Sequence, residues 1–230
     1  MKNIFTSAFL FLSVSAFAQD TKKDTAQLYD YGARIYDAHI GRFADVNPKA
    51  PQNSPYDFEE VIEDSTKKIS FNDVLNKYSL QLTIPENFSE VPVKNNSAIK
   101  YQYALKHDSL DFEIRFLITG INKALDLPDD KRSLSLFTSI VLNASGEVLP
   151  NIPKIQEFGS GLAKVDYNAD WVANSSFLSK SKFSEGFSYC SVIALRKNQI
   201  GEAYIFFLFN DKNQGAKLVS KTTTCLKFEK

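Results

Sequence analysis

The chain has 230 residues, with 27 basic and 27 acidic side chains, 43% hydrophobic and 13% aromatic content, two cysteines and one methionine. That length suits one ordinary domain or two small ones, and the apolar content is too high for a disordered chain. A formal net charge of zero argues against a protein that grips nucleic acid through bulk electrostatics, and two cysteines build neither a disulfide scaffold nor a four-thiolate zinc site.

Residues 1–18 read as a secretory signal peptide. Lys2 gives the positive start, and Ile4 to Val14 form an apolar run interrupted by Thr6, Ser7 and Ser13. Ala16-Phe17-Ala18 then puts small residues at the two positions a signal peptidase inspects, so cleavage is expected before Gln19. A run of about 11 residues is too short for a transmembrane anchor, which takes roughly 20. No cysteine lies near the cleavage position, which argues against a lipid anchor. Loss of Lys2 leaves 26 basic against 27 acidic residues, a net charge of −1. The expected compartment is the periplasm or the cell exterior, and no later segment is apolar enough to span a membrane.

The next segment, 19–58, has a distinctive string. It reads Tyr29-Asp30-Tyr31-Gly32-Ala33-Arg34-Ile35-Tyr36-Asp37, then Gly41-Arg42-Phe43, Val46-Asn47-Pro48 and Ser54-Pro55-Tyr56. This resembles the RHS repeat-associated core, the YD-repeat signature of RHS proteins, over about 30 residues from Tyr29 to Phe58. In full-length relatives many such repeats build a hollow β-shell around a C-terminal toxin. Here one repeat cannot close a shell, and Asn47 stands where the family has aspartate. No Asp-Pro-x-Gly motif follows Tyr56, so the self-cleaving chemistry of some relatives has no residues to carry it. Tyr29, Tyr31, Ile35 and Phe43 offer faces for strand packing, and the expected structure is a short β arm that needs neighbours to bury them.

Residues 59–77 are polar and charged, suiting a linker or a short helix, and the main domain is expected over 78–230. Tyr78, Leu80, Leu82 and Ile84 alternate with polar residues, as do Ile99, Tyr101, Tyr103 and Leu105, and again Leu110, Phe112, Ile114, Phe116 and Ile118. A period of two predicts antiparallel strands with one face in the core. On that reading Asp111, Glu113 and Arg115 form a solvated, charge-balanced outer face, and residues 106–109 turn a hairpin.

Leu134, Phe137, Ile140 and Val141 recur at helical spacing between Pro128 and Gly146, which predicts a helix over about 128–144. Asp129-Asp130 suits the start of that helix better than a metal site. Residues 187–197 and 202–209 are apolar on both parities, the pattern of central strands covered on both faces. Leu218, Val219, Thr222, Cys225 and Leu226 suggest a C-terminal covering helix. The sum is an α+β fold: an antiparallel sheet of about five or six strands with covering helices. Ile84-Pro85-Glu86-Asn87-Phe88, Ala169-Asp170-Trp171 and the strand Tyr204 to Phe209 in this order resemble the PsbP-like α/β/α sandwich, which implies a binding or assembly role.

Candidate chemistry is sparse. His39 falls in the RHS-like string and His107 in the expected hairpin turn, and both read as surface loop residues. No HExxH, GxSxG, P-loop or CxxC pattern occurs, and Gly159-Ser160-Gly161 reads as a loop. No catalytic, cofactor or metal residue is therefore assigned. Trp171, the only tryptophan, reads either as a ligand or partner anchor or as a core-edge side chain with its ring N–H bonded. Cys190 and Cys225 are either a disulfide stapling helix to sheet or two buried free thiols. A bridge would close a loop of about 35 residues and stabilise by roughly 3–4 kcal/mol. The expected function is non-enzymatic binding or accessory work at the bacterial cell envelope, on an unknown envelope protein or glycan. The alternative is a toxin-like C-terminal effector of an RHS-type polymorphic toxin system.

Overall fold

The computed structural model describes residues 34–37, 42–45, 70–96, 98–121, 129–147 and 150–230. The signal-like leader, His39, most of the RHS-like string and residues 59–69 lie outside the described residues. Within the string, β1 (Arg34–Asp37) and β2 (Arg42–Asp45) pair as a two-stranded sheet.

The main domain opens with helix α1 (Phe71–Lys77). Ser70 caps it reciprocally: its hydroxyl accepts from Asp73 N–H at 3.2 Å, and the Asp73 carboxylate accepts from Ser70 N–H at 3.2 Å. This capping box satisfies two N-terminal donors that the helix leaves free. The chain continues through β3 (Leu80–Leu82), β4 (Phe88–Glu90), β5 (Tyr103–His107) and β6 (Phe112–Thr119). Helix α2 (Asp129–Ser145) follows, then β7 (Ile155–Glu157), α3 (Ser160–Tyr167), β8 (Trp171–Leu178), β9 (Tyr189–Lys197) and β10 (Gly201–Phe209). A short 3₁₀ turn at Lys182–Ser184 joins β8 to β9, and α4 (Lys212–Thr222) and β11 (Leu226–Phe228) complete the chain.

Seven strands form one sheet in the order β4-β5-β6-β10-β9-β8-β7, and every pairing in it is antiparallel. The central place of β10 follows from its composition: all nine residues are buried, so both faces need cover. One face carries Phe112, Ile114, Phe116, Ile205, Phe207 and Leu195, packed beneath α1, α3, α4 and a second small sheet of β3 with β11. The opposite face carries Leu117, Val192, Ala194, Tyr204 and Phe206, packed beneath Phe137, Ile140 and Val141 of α2 and beneath Phe183 of the 3₁₀ turn. The result is a sheet with a separate apolar core on each side.

The α+β class agrees with the sequence pattern, and α2, β6, β9 and β10 fall where periodicity puts them. Other expectations need correction. The sheet has seven strands, because β4, β7 and β8 join it. The alternating run from Tyr78 supplies β3, which leaves the main sheet and pairs with β11 in register Leu226 opposite Leu82. Gly159 caps α3, so Gly159-Ser160-Gly161 opens a helix. The C-terminal helix ends at Thr222, and Cys225 and Leu226 lie in the turn and strand beyond it.

The largest correction concerns Asp111, Glu113 and Arg115. Only Asp111 is exposed; Glu113 is 6% exposed and Arg115 is fully buried. Their face of β6 is covered by the 3₁₀ turn and by the segment before β5, where Ile99 and Tyr101 alternate like a strand but precede β5, which starts at Tyr103.

Candidate functional site

The α2-covered face holds two buried polar clusters in an otherwise apolar layer. The first centres on Arg115. The β6–β10 register sets it opposite Phe206, between Glu113 and Leu117 along its own strand. Arg115 Nε donates to Glu113 Oε1 at 2.6 Å and Nη2 to Glu185 Oε2 at 3.1 Å, while Nη1 donates to the Phe183 carbonyl. The guanidinium lies 4.8 Å from the Tyr101 ring centre and 5.1 Å from that of Phe183. A charge this deep is tolerable only when paired and fully hydrogen-bonded, and two carboxylates, a carbonyl and two ring faces supply that here.

The second cluster joins three elements. The Ser133 hydroxyl of α2 donates to Glu202 Oε1 at 2.5 Å, and Tyr204 OH donates to Glu202 Oε2 at 2.5 Å. Arg196 Nη1 of β9 donates to the same Ser133 oxygen at 3.0 Å, so the arginine reaches the carboxylate through a hydroxyl. Arg196 Nε has no hydrogen-bond partner among the described residues. Burial pushes the Tyr204 phenol well above its ordinary value, and the adjacent Glu202 charge and hydrogen bond push it further. This phenol stays protonated and acts as a fixed donor.

Trp171 starts β8 and is 8% exposed. Its ring N–H donates to Glu157 Oε2 at 2.6 Å, and its ring meets Phe137 edge-on at 6.1 Å. That is the core-edge arrangement, which leaves little indole surface to anchor a partner. His107 ends β5, where Nδ1 accepts from Ser109 and Leu110 N–H in the hairpin turn.

Cys190 and Cys225 are free and buried. They belong to the cores on opposite faces of the sheet, so no bridge joins them; of the two readings of the pair, the structure has the two buried free thiols. Burial pushes both thiols up, Cys225 to about 12. No group of three or more His, Cys, Asp or Glu suited to a metal occurs among the described residues.

One surface depression among the described residues lies at a sheet edge. β8 pairs with β9 along all of Trp171–Leu178, whereas β7 pairs only with Ala173–Ser175. Beyond Ser175 the outer edge of β8 has no strand partner among the described residues. A shallow depression of about 540 Å³ sits there, lined by Ile152, Pro153, Ser176, Phe177 and Leu178, with the Lys180–Glu147 ion pair (2.5 Å) beside them. Leu178 is 56% exposed.

Neither buried cluster was legible as a unit. The signal for the first was that Leu117 shares a strand face with Glu113 and Arg115, which a wholly solvated face does not favour. Ser133, Arg196, Glu202 and Tyr204 are spread over 72 positions, with no spacing that sequence alone connects. In comparison with known proteins, no family model, curated sequence or solved structure matches the chain.

Proposed function

We propose that the protein is an exported, non-catalytic binding or accessory component of the bacterial cell envelope, carrying an RHS-like arm and engaging an envelope protein or glycan. The observation that carries the binding reading is the outer edge of β8 at Ser176–Leu178, which has no strand partner among the described residues and lies beside the depression. An open edge presents backbone donors and acceptors to an incoming chain, and exposed Leu178 adds an apolar contact. The buried carboxylates Glu113 and Glu202 support a structural role for their clusters, since arginine and hydroxyl partners occupy them. No helix among the described residues is long and apolar enough to cross a membrane.

Two measurements test the reading. N-terminal sequencing of the mature protein from the envelope fraction is expected to start at Gln19; intact Met1 in the cytoplasmic fraction would refute export. Capture with a C-terminal tag is expected to recover a partner with the wild type and to lose it with Leu178→Asp. Equal recovery by both proteins would remove the β8 edge from the interaction.

A further inference from the structure

Between β4 and β5 the chain crosses the α2-covered face without regular secondary structure; its described residues are 91–96 and 98–102. Both ends of this strap are tied to the sheet by backbone. Val91 N–H donates to the Ala104 carbonyl at 3.1 Å, and Gln102 N–H to the Phe116 carbonyl at 2.9 Å. The Gln102 carboxamide adds two 2.8 Å bonds, one to the carbonyl and one from the N–H of Ile118.

The middle of the strap is held by different means. Asn96 Oδ1 accepts from Ala98 and Ile99 N–H, and Asn96 Nδ2 donates to the Lys182 carbonyl at 3.2 Å and to Glu185 Oε1 at 3.3 Å. Lys94 Nζ lies 2.9 Å from Glu185 Oε2, and Lys94 N–H donates to Tyr101 OH at 3.1 Å. Glu185 therefore gathers Lys94 and Asn96 from the strap and Arg115 from the sheet. Ile99 and Tyr101, each 6% exposed, are the buried apolar side chains that the strap contributes. Beneath them Phe183 meets Phe206 at 4.7 Å and Tyr101 at 6.3 Å.

We propose that this strap is an electrostatically latched cover. Glu185 is the latch, and its release lets the strap move on its two sheet-tied ends, uncovering Arg115, Phe183 and Phe206 while the sheet stays folded. Segments that bury few apolar groups open at a lower cost than the strands beneath them. The outer half of the latch is also open to solvent, since the Lys94 side chain is 64% exposed, and salt screens such a pair.

The charged groups facing Glu185 are Lys94 from the strap and Arg115 with Glu113 from β6; Lys182 is the charged residue of its own turn. Burial of Glu185 acts to raise its pKa. The bond from Lys94, the Arg115 charge and the Asn96 bond outweigh that and hold it below the ordinary 4.5. A carboxylate lowered in the closed state stabilises that state above 4.5 and loses its contribution as pH falls through the lower, closed-state value. Lys94 is raised above 10.5 by the same bond, so its share is present below 10.5 and lost only as pH rises beyond. The latch thus holds through neutral pH and fails on the acid side of 4.5.

Hydrogen–deuterium exchange of the full chain tests this, with rates corrected for intrinsic pH dependence. At neutral pH, Glu185→Gln is expected to speed exchange of strap peptides by about tenfold or more, leaving β9 and β10 peptides unchanged. The wild type should show the same selective loss as pH is lowered below 4.5. Lys94→Met removes only the exposed partner and serves if Glu185→Gln fails to fold. It should speed strap exchange at low salt, with the difference from wild type vanishing at about 1 M salt. Strap and β9–β10 peptides accelerating together, or a strap as protected in the folded variants as in the wild type, would overturn the proposal.

Discussion

Arg115 is a full positive charge set in a layer of phenylalanine and tyrosine, and every donor group on its guanidinium has a partner. Its removal is expected to hurt more than the loss of an apolar neighbour. Arg115→Ala leaves the Glu113 carboxylate and the Phe183 carbonyl buried without their donor, which costs about 3–5 kcal/mol. Urea denaturation of the two proteins measures that difference; a loss below 1 kcal/mol would mean the cluster repacks or admits water. Two glycines give a sharper contrast at the same scale. A Cβ on Gly215 in α4 would stand 2.2 Å from the Phe209 ring, whereas a Cβ on Gly161 in α3 would meet nothing within 4 Å. Gly215→Ala should therefore destabilise by about 1–3 kcal/mol through overpacking. Gly161→Ala should stabilise by about 0.4–1 kcal/mol by restricting the unfolded chain. The same chemical change has opposite signs because one helix lies tight on the sheet at that point and the other turns its glycine to solvent.

At the scale of the element, strong periodicity was readable and weak periodicity was not. β6, β9, β10 and α2 have long runs of large apolar residues, so burial alone determines their type. β8 does not. Its middle residues Asn174, Ser175 and Ser176 look like a loop, yet Ser175 is 2% exposed and its hydroxyl donates to the Lys154 carbonyl. Ser176 and Ser191 share a hydroxyl bond of 2.8 Å across the β8–β9 pair. Small hydroxyl residues can sit in a sheet when they find such partners, and the partners come from other parts of the chain. α3 was hidden by Gly161 and by its glycine cap Gly159, and β11 by the recurrence of Leu218, Val219, Thr222, Cys225 and Leu226 at helical spacing. In each case the deciding contact is tertiary, with Tyr167 of α3 and Phe228 of β11 both entering the core beneath the sheet. The strap over Arg115 was the hardest to read, because Ile99 and Tyr101 continue the alternation of β5 while Asn96, Lys94 and Glu185, which hold the segment, follow no repeat.

At the scale of the whole molecule, the sheet keeps two apolar layers apart, and the cysteines report that separation. Cys190 packs with Val192 and Leu208 in one layer, Cys225 with Leu226 and Phe228 in the other. Both thiols are buried and both are pushed up in pKa, so little reactive thiolate exists at neutral pH. Iodoacetamide is expected to label neither in the native protein and both after denaturation, with the same mass gain with or without prior reduction. A gain that appears only after reduction would show a bridge, which this arrangement does not allow without crossing the sheet.

The single tryptophan is placed unevenly between these layers. Trp171 touches Phe137 of α2 and lies wholly on the side of the strap, away from α1, α4 and the β3–β11 pair. Intrinsic fluorescence is therefore a one-sided reporter: it senses α2 leaving the sheet and is blind to α4 doing so. If the two layers melt in separate steps, tryptophan emission and far-ultraviolet ellipticity will trace different transition curves. Coincident curves would mean that the shared sheet binds both layers into one cooperative unit.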